Sequence, residues 1–287
     1  MRFYKAKYKG KLQKKGYAKE TVKSYIRRLE KYEQWCKQKQ NYKNESETQL
    51  AFKYLKHLQK NTTNSRTINR SLQPLRLYYR LFRKHNPFAY TYIKREVQSI
   101  KHNFFSTAEL AEIYDNYPQK TTAQIRNKVL LGLYVFQGIK SSEVKTINTK
   151  DLDLNGYIIL LKGDNRTNKR KIGLNIKQIL LLSQYIDKER IILQKENKET
   201  ALILFPKGKY GFHNLLSAIS SKLKKDIYGF EGLYQLRASV IYNWVKEYDV
   251  RKAQYLSGHK YISSTEKFKV EDINGLIKEI EKYFPIQ

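Results

Sequence analysis

One cysteine in 287 residues is a scarcity that removes several chemistries at once. A single thiol, Cys36, closes no internal disulfide and assembles no thiolate cluster, and beside Trp35 it reads as a small core residue. Long apolar runs are missing as well. The longest, VLLGLYVF and YIILL, fall far short of the roughly 20 residues of a bilayer span, and the opening MRFYKAKYKGK has no apolar stretch of the signal-peptide kind. No redox or zinc chemistry, no metal or other cofactor and no membrane insertion is expected, and the chain reads as soluble and cytoplasmic. Acidic residues are the third shortage: 26 Asp+Glu stand against 57 Lys+Arg, a formal charge of +31. A cation that strong condenses on polyanions, with nucleic acid the first candidate and anionic membrane the second.

The length suits two domains, each with its own core. Residues 1–104 hold 27 Lys+Arg against 6 Glu, a net of +21, which leaves +10 for the other 183. This smaller, more polycationic part reads as helices. Val22, Ile26, Leu29 and Cys36, with Tyr25 and Tyr32, share one stripe of 3.6 periodicity, while Lys19, Lys23 and Arg27 recur every four residues on another face. After NTTNS a second stripe runs through Ile68, Leu72, Leu75, Tyr79 and Phe82, with Arg66, Arg70, Arg76, Arg80 and Arg83 outside it and Pro74 as a possible kink or late start. A solvated face normally mixes signs, and these two do not, which argues for phosphate contact.

A boundary is placed near residue 100, giving domains 1–100 and 101–287. Beyond it, STAE at 106–109 is a capping box, and helices are expected over 106–117, 123–138 and briefly from Ser141. GYIILL and KIGLN flank the basic turn KGDNRTNKR as a hairpin. Helices then resume over 176–195, 212–225, 234–247, 249–257 and 262–269, and a tail helix closes the chain. The fold class is mainly α with a small β-sheet.

Five motifs stand in order behind the basic helices: FSTAEL, RNKVLLGLYVFQGIKSSEVKTINTKDLDL, LLKG, LYQLRASVIYNW and YLSGHKYISSTEKF. With YAKETVKSYIRRLEKYEQW and RTINRSLQPLRLYYRLF before them, nearly the whole chain resembles the tyrosine recombinases, the phage integrase family. The resemblance implies a helical core-binding (SAM-like) domain and an integrase-type catalytic domain gripping opposite faces of duplex DNA as a clamp. It also implies a tyrosine that attacks a phosphodiester, two arginines and a histidine that hold the phosphorane, and a hairpin lysine that protonates the leaving oxygen, with no metal.

Carried over by position, Arg237 matches the second arginine, His259 the late histidine and Lys162 the leaving-group acid. Three positions depart. Lys140 stands where the first arginine is expected, exchanging a two-pronged planar donor for a point charge. Tyr234 stands three before Arg237, where a histidine is expected, and Phe268 stands nine after His259, where the nucleophile is expected. Phe268 has no attacking oxygen. Tyr261 and Tyr283 would each need the site rebuilt, and Ser264 and Thr265 have no adjacent base.

The expectation from these departures is a protein that binds duplex DNA without cutting it, not an enzyme: a repressor or regulator of a phage or other mobile element, associated with the nucleoid. The alternative is a site-specific recombinase carrying a Tyr-to-Phe change at 268. Phosphate contacts are expected from Lys19, Lys23, Arg27, Arg70, Arg76, Arg80, Lys140, Lys162, Arg237 and His259, and contacts to a phosphate or the minor groove from the loop residues Arg166, Lys169 and Arg170. Base contacts are expected from His213, Asn214, Ser217, Ser221 and Lys222 on the helix GFHNLLSAISSKLKK, which occupies the position the family inserts into the major groove. A monomer is expected, with self-association possible through the apolar stripe of 271–284.

Overall fold

The computed structural model describes residues 3–38, 45–82, 85–94, 103–197, 203–206 and 211–269. The expected tail helix 271–284, Tyr283 and Arg83 lie outside them. The chain divides into two compact units, Met1–Gln98 and Ser99–Gln287.

The first unit holds helices α1 (Lys5–Lys14), α2 (Lys19–Lys37), α3 (Glu47–Asn61) and α4 (Ser65–Phe82). The stripes of α2 and α4 face one core, where Leu29, Tyr32, Leu72, Leu75 and Tyr79 are buried with Tyr8 and Leu12 of α1 and Tyr54 of α3. Neither α1 nor α3 was read from the sequence. A capping box opens α3, in which Ser46 Oγ accepts from Gln49 N at 3.2 Å and Gln49 Oε1 accepts from Ser46 N at 3.0 Å. Pro74 sits inside α4 without ending it, and its carbonyl accepts from the buried Tyr8 hydroxyl at 2.9 Å.

In the second unit, α5 (Thr107–Asp115) begins at the expected capping box, with Ser106 Oγ accepting from Glu109 N. The apolar α6 (Thr122–Val135) runs through the middle of the core, and α7 (Ser141–Val144) follows after a turn. A short strand β1 (Leu152–Asp153), not anticipated, pairs antiparallel with β2 (Ile158–Leu161), and β2 pairs antiparallel with β3 (Arg170–Gly173) in the expected hairpin. The helix expected over 176–195 is divided into α8 (Ile176–Gln184), a π-helical segment (Tyr185–Glu189) and α9 (Arg190–Asn197). Next come α10 (Gly211–Asp226), α11 (Leu233–Glu247), α12 (Val250–Ser257) and α13 (Ser263–Glu266), the last shorter than expected. Among the described residues no helix is long and apolar enough to cross a membrane.

Candidate active site

Arg237 stands one turn into α11 and is buried. Its guanidinium donates to the carbonyl of Gly138, in the turn after α6, and to that of Ser257, at the end of α12, the latter at 2.8 Å. The fork is thereby fixed before any ligand arrives. Burial lowers the Arg237 pKa to about 10, so the charge persists at neutral pH.

Arg237 Nη2 also stands 3.4 Å from His259 Nε2, while His259 Nδ1 is 2.9 Å from Thr265 Oγ1. Since a guanidinium only donates, Nε2 carries the lone pair and Nδ1 the proton, a tautomer assigned from the network. Burial first, then the charges of Arg237, Arg170 and Lys140, pushes the imidazole down to about 4. It is neutral at pH 7.

Beneath these two lies Glu143 of α7, whose carboxylate takes both prongs of Arg170 at 2.6 and 3.1 Å and stands 4.0 Å from Arg237 Nη1. The side chains of Arg170 and Glu143 are 0% and 2% exposed. Burial alone would raise the Glu143 carboxyl, but the Arg170 pair holds it below its usual value. Gly258 ends α12 at φ +71, and any Cβ there would overlap the Arg170 guanidinium, so both backbone and space require glycine. This corrects the expectation for Arg170, which is a buried strut rather than a loop cation reaching for DNA. Glu143 was not singled out from the sequence, although an acid three residues after Lys140 in so basic a chain was the available signal.

Lys140 caps α7 at the rim. Its Nζ meets Asp164 at 3.0 Å, and its backbone N–H donates to Glu143 at 3.1 Å. Asp164 also accepts from Ser142 and from the Arg166 backbone, and despite its partial burial these bonds hold its carboxyl far below the usual range. Lys162 Nζ is engaged by the buried Asp151 at 2.9 Å. Arg166 and Lys169 are exposed on the hairpin turn.

A cavity of about 200 Å³ opens on this arrangement, lined by Tyr234, Arg237, His259, Ser264, Lys267 and Phe268 over a floor of Ala238 and Ile241. Phe268 is 5% exposed, its ring nearly parallel to that of His259 at 6.4 Å between centroids. Tyr234, by contrast, is 62% exposed. Four of the six positions carried over by resemblance thus meet at one cavity, Lys140 stands beside it through Glu143, and Lys162 is held by Asp151. Among the described residues no group of three or more His, Cys, Asp or Glu side chains is placed to hold a metal ion.

On α10, His213, Asn214, Ser217, Ser221 and Lys222 are all exposed, and Lys222 pairs with Asp226 at 2.9 Å. In the first unit Lys19, Lys23, Arg27, Arg70 and Arg80 are exposed. Lys23 and Arg27 line a groove of about 470 Å³ with Arg28 and Lys31, two cations the sequence reading did not select. Arg76 is corrected: it turns inward, donating to the Phe88 carbonyl at 3.3 Å and to Asn69 Oδ1 at 3.3 Å, and packs over the Tyr92 ring.

Residues 103–272 match the phage integrase family, and residues 6–85 match the phage integrase N-terminal SAM-like domain. The tyrosine recombinase XerC of Lacticaseibacillus casei is 23% identical over 285 residues, covering 94% of each chain. That of Bacillus subtilis is 25% identical over 265 residues, covering 88% of this chain and 86% of its own. Among solved structures, the Tn1549 transposon integrase in complex with a circular intermediate DNA covers 98% of this chain and 100% of its own, with a TM-score of 0.67 at 13% identity. The XerH recombinase bound to its difH substrate in a post-cleavage complex gives 0.61 at 21% identity over 92% of this chain and 80% of its own. These likenesses are of fold. The expectation that the chain is not an enzyme is overturned by its relatives, since proteins that match it along most of their own length carry the name of recombinases. With its family matched over more than half of its length, and the N-terminal domain matched besides, the chain belongs to the phage integrase family.

Proposed function

We propose that the protein is a site-specific DNA recombinase that cuts and rejoins duplex DNA through an ester between a protein hydroxyl and a DNA phosphate. The observation that carries this reading is the cavity itself, where a fixed, charged Arg237 and a neutral His259 with its lone pair on Nε2 face the same small space. A buried guanidinium held by two carbonyls suits a phosphorane, because its donors need no reorganisation as charge develops. A neutral imidazole beside it can take the proton of an attacking hydroxyl, which a histidinium could not.

The other roles follow from position. Lys140 adds a point charge at the rim, and Lys162 protonates the departing oxygen once a phosphate competes with Asp151 for its ammonium. Lys19, Lys23, Arg27, Arg70 and Arg80 with the groove cations, and Arg166 and Lys169 on the hairpin, contact the phosphate backbone. The short polar side chains of α10 meet base edges.

The test is a covalent one. The full-length protein is incubated with duplexes selected by its own binding and nicked in turn at each position, and denaturant-resistant protein–DNA adducts are scored. An adduct with the natural protein is expected. The Phe268→Tyr variant serves as reference, and adducts from that variant alone would overturn the proposal.

A further inference from the structure

A recombinase of this kind needs a hydroxyl that reaches the phosphate, and Phe268 supplies none, so the question is which oxygen in the cavity can. Among its lining side chains, hydroxyls belong to Tyr234 and Ser264. We infer that Tyr234 is the attacking nucleophile, an inference that rests on the recombinase reading above.

Two observations carry it. Tyr234 and Arg237 are three residues apart on α11, which places them on one face of the helix, one turn from each other. The ring is 62% exposed, whereas Phe268 is packed against Ala238 and Ile241, so the phenol is the one accessible to a duplex. A phenol is also a far better leaving group than the Ser264 alkoxide, which matters because the protein–DNA ester must be reversed for rejoining.

The step is a transesterification. Tyr234 Oη bonds to phosphorus as the phosphorus–oxygen bond to the neighbouring deoxyribose breaks. The phenolic proton passes to His259 Nε2, and the departing oxygen takes a proton from Lys162 Nζ. Rejoining reverses each transfer, and no oxidant, reductant or hydrolytic water is consumed.

The experiment maps the adduct. The natural full-length protein is trapped on the nicked duplexes and digested with protease and nuclease, and the nucleotide-bearing peptide is sequenced by mass spectrometry. The nucleotide is expected on Tyr234, and Tyr234→Phe should lower adduct yield by at least about a hundredfold. Because the ring is largely exposed, losing its hydroxyl should leave the fold intact, as circular dichroism would check. A nucleotide on Tyr261, Ser264 or any other residue would overturn the inference while leaving a DNA-cleaving recombinase in place. No adduct from the natural protein on any nick position, with Phe268→Tyr forming one, would overturn both.

Discussion

Glu143→Gln is the sharpest test of how the site is held. The substitution keeps the shape of the side chain and removes one charge, leaving the Arg170 guanidinium buried without its anion and Arg237 without the carboxylate 4.0 Å away. Breaking a buried pair by neutralising one partner costs about 3–5 kcal/mol, because the remaining charge keeps its desolvation penalty. For a unit the size of Ser99–Gln287, each kcal/mol moves the melting point by about 2–4 °C, so a drop of roughly 6–20 °C is expected. The chain has two tryptophans, one in each unit, so a Trp35→Phe background lets Trp244 fluorescence report the second unit's melting. The sign with pH follows from the Glu143 carboxyl being held below its ordinary value of 4.5. Its stabilisation is fully present above that value and is lost as pH falls through the lower, folded one. The gap between parent and variant should therefore stay constant from about pH 8 to pH 5 and close only below about pH 4.5. A loss under about 1 kcal/mol, or a gap that closes between pH 8 and pH 6, would refute the buried pair as the strut of this site.

His259, pushed down from 6.5 to about 4, should show no imidazole titration between pH 5.5 and 8 by nuclear magnetic resonance. Since the unfolded chain takes up that proton first, His259→Gln should soften the loss of stability as pH falls below 6.5, and an imidazole titrating near 6.5 in the folded protein would refute its burial. Arg237→Ala should weaken binding on every duplex alike, whereas Asn214→Ala should relax preference at particular base pairs. Equal losses on selected and random DNA for both variants would count against base reading by α10. Lys23→Ala and Arg27→Ala should each reduce the slope of log affinity against log salt by about 1, as loss of one phosphate contact does, and an unchanged slope would remove that groove from the DNA interface.

The parts of the fold that were legible are those whose signal is local. Capping boxes at Ser106, the stripes of α2 and α4 and the turn between β2 and β3 depend on neighbours within a few residues, and those elements formed where expected. Helices α1 and α3 were missed because their apolar residues, such as Tyr8, Leu12, Leu50 and Tyr54, are few and make sense only against the core of the other two. Side-chain direction was the weakest reading. Arg76 looked like one more cation on a basic face, but the chain at 86–92 passes close enough to offer it carbonyl and hydroxyl acceptors, a contact no helical periodicity contains. Arg170 failed for the same reason, its partner lying 27 residues upstream.

The candidate site shows where local pattern and chemistry part. Arg237, His259 and position 268 could be aligned with the family's motif by resemblance, because α11, α12 and α13 follow one another with short connections and their relative placement is fixed by residues such as Gly258. Reading Phe268 as the end of catalysis assumed that the attacking oxygen must sit at the aligned position. The cavity imposes a weaker condition, that some hydroxyl share the space into which Arg237 and His259 point, and spacing cannot test that condition. Tyr234 meets it from the opposite end of the motif, where it stands in place of the expected histidine. Two departures that look like independent losses in the sequence are, in three dimensions, a ring without a hydroxyl on one wall of a cavity of about 200 Å³ and a ring with one on another.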